Sequence, residues 1–277
     1  MGRRVRHAHP PGDPGAPVRA EPARGLNPRR GAVLAAAGLC LLASWAGLAG
    51  AAGRPGERIT LRFSYLGLTA GEGTLRVLPG ERAGRDVLHF VTEARSQGFF
   101  AWLLRYKVDD RTDAWFDPAA GCSLGIEKRL REGKAVRDQT VVFDWAAGTA
   151  RVADRKLEHE SFEVGPCPLD VLSALQVMRL RGVPAAAPLE LEVFDNGKRY
   201  LLRFLRLGRE RLDLPAPLGP ATPTLVVEPL LAEGTGLFVK SGRLKLWITD
   251  DERRVPVRLR TKVPIGSVSA DLVVYEP

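Results

Sequence analysis

The sequence predicts a mainly β protein: an antiparallel meander curled into a barrel, a half-barrel or two packed sheets, with one main helix near residues 170–181. Three observations predict it. About a dozen runs of strand character, many alternating apolar and polar residues, recur at a spacing of roughly 8 to 12 residues. Short Gly- and Asn-containing segments separate several of these runs at hairpin length. A single segment switches to the three- and four-residue spacing of a helix. So many strands cannot stay in one flat sheet, because twist and unprotected edges accumulate. A two-lobed arrangement split near the helix is the structural alternative.

The elements follow in order. Ile59, Leu61, Phe63 and Tyr65 alternate with Arg58, Thr60, Arg62 and Ser64, the pattern of a half-buried strand. Thr69-Ala70-Gly71 is expected to turn the chain into a second strand with Leu75 and Val77 inward. Val87–Ala94 is the third, with Leu88 and Phe90 on one face. The apolar run Phe99–Leu104 has no alternation and fits a short helix or a buried strand equally. Strand patterns resume at Val108–Phe116, Leu124–Arg131, Val136–Asp144 and Thr149–Ala153. Glu132-Gly133-Lys134 and Ala146-Ala147-Gly148 are turns between them. Asp170 can cap a helix through Val171, Leu172, Leu175, Met178 and Arg179, which Gly182 and Pro184 end. Leu189–Phe194 and Tyr200–Leu207 flank Asp195-Asn196-Gly197-Lys198, a strong hairpin signal. After a Pro-rich connection come Leu225–Leu231, Leu237–Ser241, Arg243–Thr249, Val255–Val263 and Ile265–Tyr275.

The 277 residues are 45% hydrophobic and 26% charged, which excludes collagen-like, coiled-coil and wholly disordered chains. Residues 1–31 are Pro-rich and carry seven Arg, and an uncharged run from Ala32 to Ala52 follows. Arg29-Arg30, the apolar run and Ala49-Gly50-Ala51 have the layout of a signal peptide cleaved after Ala51. An uncleaved N-terminal anchor is the alternative, since about 20 apolar residues can span a bilayer. Residues 1–51 therefore divide off as a leader, 52–57 as a linker, and 58–277 as a single β-rich domain, exported or periplasmic. The formal charge of +9 belongs largely to the leader, and nothing in the rest argues for nucleic acid. Membrane contact is expected only through an uncleaved signal segment.

Cys122 and Cys167 remain after cleavage, an even pair in an exported chain, and are expected to bridge. Two free buried thiols are the alternative. His89 and His159 stand at no ligand spacing from either, so no metal site is expected.

The usual catalytic signatures are absent: no G-x-S-x-G, no H-E-x-x-H, no phosphate-binding G-x-x-x-x-G-K-[ST]. No catalytic residue, cofactor or enzymatic activity is expected. The glycines of Leu66–Gly73 join strand to strand and serve as turn residues. Asp109, Asp110 and Asp113 lie on an alternating run with Arg111, as a solvated strand edge with local ion pairs. Asp250-Asp251-Glu252 marks a turn. His89 points away from the face of Leu88 and Phe90, outward or into a cavity, and His159 falls in a charged surface stretch.

The basic pattern is more informative. Arg243, Lys245, Arg258, Arg260 and Lys262 alternate with apolar residues on two strands joined by the Asp250–Arg253 turn. That pairing predicts Lys245 near Arg258 and Arg243 near Arg260, like charges that need solvent or an anion between them. Trp247 shares their face. Arg203 and Arg206 add cations on opposite faces of a nearby hairpin.

Three segments carry a resemblance: Phe63–Glu72, Asp170–Leu175 with Arg179, and Gly242–Val257 continued by Lys262–Val268. Together they resemble the domain of unknown function 3108 family of exported bacterial proteins, over about residues 58–275. The resemblance implies a periplasmic or envelope β-protein without known catalytic residues. The Cys122/Cys167 pair is a departure from it. Two functions fit: a binding module holding an apolar or lipid-like ligand in a concave sheet, or an envelope interaction protein docking a protein partner or an anionic membrane through its basic strands.

Overall fold

The computed structural model describes residues 53–97, 107–154, 160–232, 244–262 and 266–277. The leader with Ala51, the run Phe99–Leu104, His159, Leu237–Ser241 and Arg243 lie outside the described residues. The strands are β1 (Arg58–Tyr65), β2 (Leu68–Arg82), β3 (Arg85–Ser96), β4 (Asp109–Asp117), β5 (Cys122–Glu132), β6 (Ala135–Asp144), β7 (Thr149–Asp154) and β8 (Glu160–Glu163). After helix α1 (Val171–Arg181) come β9 (Leu189–Asp195), β10 (Lys198–Leu212), β11 (Thr222–Ala232), β12 (Lys245–Thr249), β13 (Pro256–Lys262) and β14 (Ser267–Glu276).

All fourteen strands form one antiparallel sheet, in the order β8-β7-β6-β5-β4-β3-β2-β1-β14-β13-β12-β11-β10-β9. It is an open meander whose first strand pairs with its last. The edges are β8 and β9, and no ladder joins them among the described residues. Side chains bring them together instead. The Phe162 ring of β8 lies 5.7 Å from Phe194 of β9, and a Cβ on Gly197 would meet it at 2.9 Å. Lys128 of β5 pairs with Asp195 at the end of β9. Asn196 and Gly197 both take positive φ, 51° and 73°, which is why Asn-Gly makes this hairpin.

The inner face is mostly apolar, from Ile59, Leu61 and Phe63 through Phe90, Phe116 and Phe204 to Leu246 and Leu259. Helix α1 does not merely cover this face: Leu172 through Arg179 are buried without exception. A helix buried on every side is a core element. Asp170 begins it, accepting the backbone N–H of Leu172 and Ser173 and the hydroxyls of Ser123 and Ser173. Burial pushes this carboxyl above the usual range, and those four donors oppose the shift. Gly182 ends the helix with its N–H on the Met178 carbonyl.

Three local expectations need correction. Thr69-Ala70-Gly71 is not the turn: Leu66-Gly67 turns the chain, and Gly71 lies inside β2, where a Cβ would come within 2.3 Å of the Arg95 carbonyl. Close strand approach, not turning, requires that glycine. Asp109, Arg111 and Asp113 sit on no edge, because β4 is paired on both sides by β3 and β5. Lys245 faces Arg260, and Trp247 faces Arg258, because the turn closes with Ile248 opposite Pro256, one residue off the expected register, and a bulge between Trp247 and Ile248 adds the second. The segment Gly53–Glu57 also packs more closely than a linker: Gly56 N–H and Glu57 C=O both bond to Val77 of β2.

Candidate functional site

On the outer face, Arg258, Asp271, Arg62, Glu72, Arg95 and Asp109 are consecutive register partners across six strands. Their charges alternate strictly. Arg258 pairs with Asp271, Arg62 with Glu72 at 3.3 Å, and Arg95 with Asp109 at 3.2 Å. Arg258 is therefore a rung of a compensated ladder and leaves the basic patch.

The next row toward the β1–β2 turn is different. Lys245 pairs in register with Arg260, then come Ser269, Ser64 and Thr69. Among the described residues Arg260 faces no carboxylate in that row, whereas continuing the Val227–Leu246 register sets Lys245 beside Glu228 of β11; both cations are exposed. Lys262, at the end of β13, is opposite Ser267, whose carbonyl accepts the Leu66 N–H. Leu66 and Leu68, at the turn itself, are each 56% exposed. Of the five proposed basic residues, Lys262 thus lies nearest two bare leucines, with Arg260 two residues before it on the same strand. Lys107, Lys134 and Lys198 are exposed at strand ends on the same end of the sheet. Sequence reasoning found the cations but treated Leu66 and Leu68 as part of a Gly-rich turn.

Trp247 is buried, 4% exposed, and its indole N–H donates to Glu210 at 2.9 Å. Its register neighbour on β11 is Val226. That burial removes Trp247 from the binding surface.

Elsewhere on the outer face, His89 Nε2 lies 2.9 Å from Asp113 Oδ1 and stacks on Trp115 at 5.0 Å. Arg111 grips the same carboxylate with two bonds of 2.8 Å. Burial alone would raise Asp113, but His89 and Arg111 hold it down at about 2. Asp110, on the other face of β4, behaves oppositely. Burial, with Glu132 and Asp109 nearby, pushes it up to about 7, and one N–H bond from Arg131 only partly offsets this. Below about pH 4 both folded and unfolded chains hold this proton, and between pH 4 and 7 only the folded chain does. Stability should therefore fall as pH rises from 5 to 8, by about 2–3 kcal/mol, and Asp110→Asn should abolish that slope in urea titrations. An unchanged slope in the variant would assign the pH dependence to other groups.

Cys122 and Cys167 are joined by a disulfide, with Cα atoms 5.0 Å apart. Among the described residues no three His, Cys, Asp or Glu side chains are placed to hold a metal ion.

A second feature opens at the opposite end of the sheet. A cleft of about 430 Å³ lies between the end of α1 (Arg181, Val183, Pro184), Arg206 of β10, Leu225 of β11 and the Asp250–Arg254 turn. Two of the resembling segments, the helix and the Lys245–Val257 hairpin, meet here. The Arg179 guanidinium joins them, donating to both Glu57 oxygens at 3.0 and 2.8 Å and twice to the Arg253 carbonyl.

Comparison with known proteins places the chain by family and fold. A search of the curated proteins finds no match. The chain is similar in fold to the crystal structure of a beta-barrel-like protein of domain of unknown function DUF1849 from Brucella abortus, with a TM-score of 0.54 and 7% sequence identity. That likeness covers 79% of this chain and 96% of the other. The family profile described as protein of unknown function (DUF3108) matches residues 58–273, and by this match the chain belongs to the DUF3108 family.

Proposed function

We propose that the protein is an exported, non-catalytic module of the cell envelope that docks the β1–β2 end of its sheet on an anionic lipid surface. One observation carries this reading: exposed Leu66 and Leu68 stand at the same end of the sheet as Lys262 and Arg260, which have no ion-pair partner among the described residues, while the row beside them is fully ion-paired. Leucines at a rim of cations suit the boundary between acyl chains and anionic headgroups. The leader supports export, and the disulfide fits an oxidising compartment.

The alternative reading holds an apolar ligand inside the sheet. It is less well supported, because α1 occupies the interior. The described hollow at this end, lined by Phe63, Ala70, Gly71, Ala94 and Val108, measures about 20 Å³, room for one water.

Flotation of the protein purified after export tests the proposal. It should rise with vesicles of phosphatidylcholine and phosphatidylglycerol and stay behind with phosphatidylcholine alone. Lys262→Glu should weaken binding at least about fivefold, since each cation near such a surface contributes about 1 kcal/mol. The Leu66→Ser/Leu68→Ser variant should bind only transiently and release in high salt. Equal flotation with neutral vesicles, or no effect of either variant, would overturn it. Native mass spectrometry showing a lipid retained without vesicles would favour the interior ligand.

A further inference from the structure

The cleft beside the end of α1 has a charge arrangement that the fold does not use. Leu202 and Phe204 are buried on the inner face of β10, and Arg206 continues that row. Its register partner Val227 is fully buried, so Arg206 leans toward the interior mouth, not outward like Arg203, which pairs with Glu190 at 2.6 Å. Among the described residues neither Arg206 nor Arg181 has an ion-pair partner. Arg254 lies against Gly182, where an added Cβ would meet its guanidinium at 3.1 Å, and it donates to the Arg179 carbonyl at 2.5 Å. That bond uses one nitrogen and aligns the group without neutralising it.

The carboxylates of the cleft do not compensate for these arginines. Asp250 is paired with Arg209 at 2.7 Å. Asp251 accepts from the Thr249 hydroxyl, from two nitrogens of Arg253 and from the N–H groups of Arg253 and Arg254. Glu252 alone remains against Arg181, Arg206 and Arg254. Leu225, Val183 and Pro184 supply an apolar wall. The volume of about 430 Å³ falls in the range of small-molecule sites.

We infer that this cleft binds a small organic oxyanion, a carboxylate or phosphate ester, with its charged end among Arg181, Arg206 and Arg254 and its body against Leu225 and Val183. Guanidinium groups recognise such anions by paired N–H donors, and the partly enclosed setting strengthens those bonds. The site lies at the far end of the sheet from the proposed lipid surface and stands independently of it.

The test is an NMR titration of the protein purified after export, following arginine Nε–Hε signals. Inorganic phosphate, glycerol phosphate and butyrate are added separately, at constant ionic strength set with chloride. At least one should shift the Arg206 and Arg181 signals saturably. Arg206→Gln and the exposed Arg181→Gln should each weaken that binding about tenfold or more, while Arg203→Gln leaves it unchanged. A preference for glycerol phosphate over inorganic phosphate identifies an ester with its body in the cleft, and a preference for butyrate identifies a carboxylate. Shifts that never saturate with any of the three, or equal losses in Arg203→Gln, would overturn the assignment.

Discussion

Replacing Arg179 with Ala should destabilise the protein by about 3–5 kcal/mol, because it strands the buried Glu57 carboxylate. Arg179 is 1% exposed and Glu57 is 3% exposed, so neither charge can turn to water when the other is lost. The guanidinium also satisfies the Arg253 carbonyl at 3.0 and 2.8 Å, and that acceptor would be orphaned as well. Three separate parts of the chain meet here: the segment entering β1, the last turn of α1, and the β12–β13 turn. Urea unfolding of the single variant should show the full loss. The double variant Glu57→Leu/Arg179→Met should recover most of it, since it leaves no buried charge unpaired and only the Arg253 carbonyl without its donors. A single-variant loss under about 1 kcal/mol would mean that water reaches Glu57 and that the joint is not dry.

How far this joint was legible in the sequence is instructive. Arg179 stands at helical spacing with Leu172 and Leu175, which places it on the buried stripe, but spacing cannot name a partner 122 residues away. Glu57 gave no signal, since it follows a Gly/Pro stretch that looks like a connection. Local chemistry was readable wherever a few adjacent residues decide the outcome. Asp170 caps its own helix, and Asn196-Gly197 turns because both positions need positive φ. Strand β8 was missed because Glu160-Ser161-Phe162-Glu163 is short, with a single apolar residue. The Lys245–Arg260 register was missed by two residues, one in the turn and one in the bulge, since alternation fixes which face a residue takes but not how many residues a turn and its bulge consume. The same bulge changed the site. It set Lys245 opposite Arg260 and Trp247 opposite Arg258, while the β13–β14 register puts Arg258 in the charge ladder beside Asp271.

Removing the disulfide should cost about 2–4 kcal/mol. The bridge closes a loop spanning 45 residues, and the loop-entropy relation gives about 4 kcal/mol for that size before any offset. The loss should concentrate at the entrance to α1. There the chain Pro166-Cys167-Pro168 has no N–H at either proline, so few backbone bonds replace the tether. The Pro168 carbonyl accepts from Ser123 N–H at 2.9 Å, and Ser123 also donates its hydroxyl to Asp170. Cys122 therefore anchors the strand that holds the helix cap. In Cys167→Ser, hydrogen exchange should quicken first in the opening turn of α1, while β4, β5 and β6 keep their ladders and their protection. Cys167 is exposed and Cys122 is buried, so a reductant reaches the bridge from the Cys167 side. Mild reduction of the native protein should reproduce the variant's exchange pattern without unfolding the sheet. A midpoint shift below about 0.5 kcal/mol, or exchange quickening uniformly across the strands, would show that Asp170 and Ser123 hold the helix without the bridge.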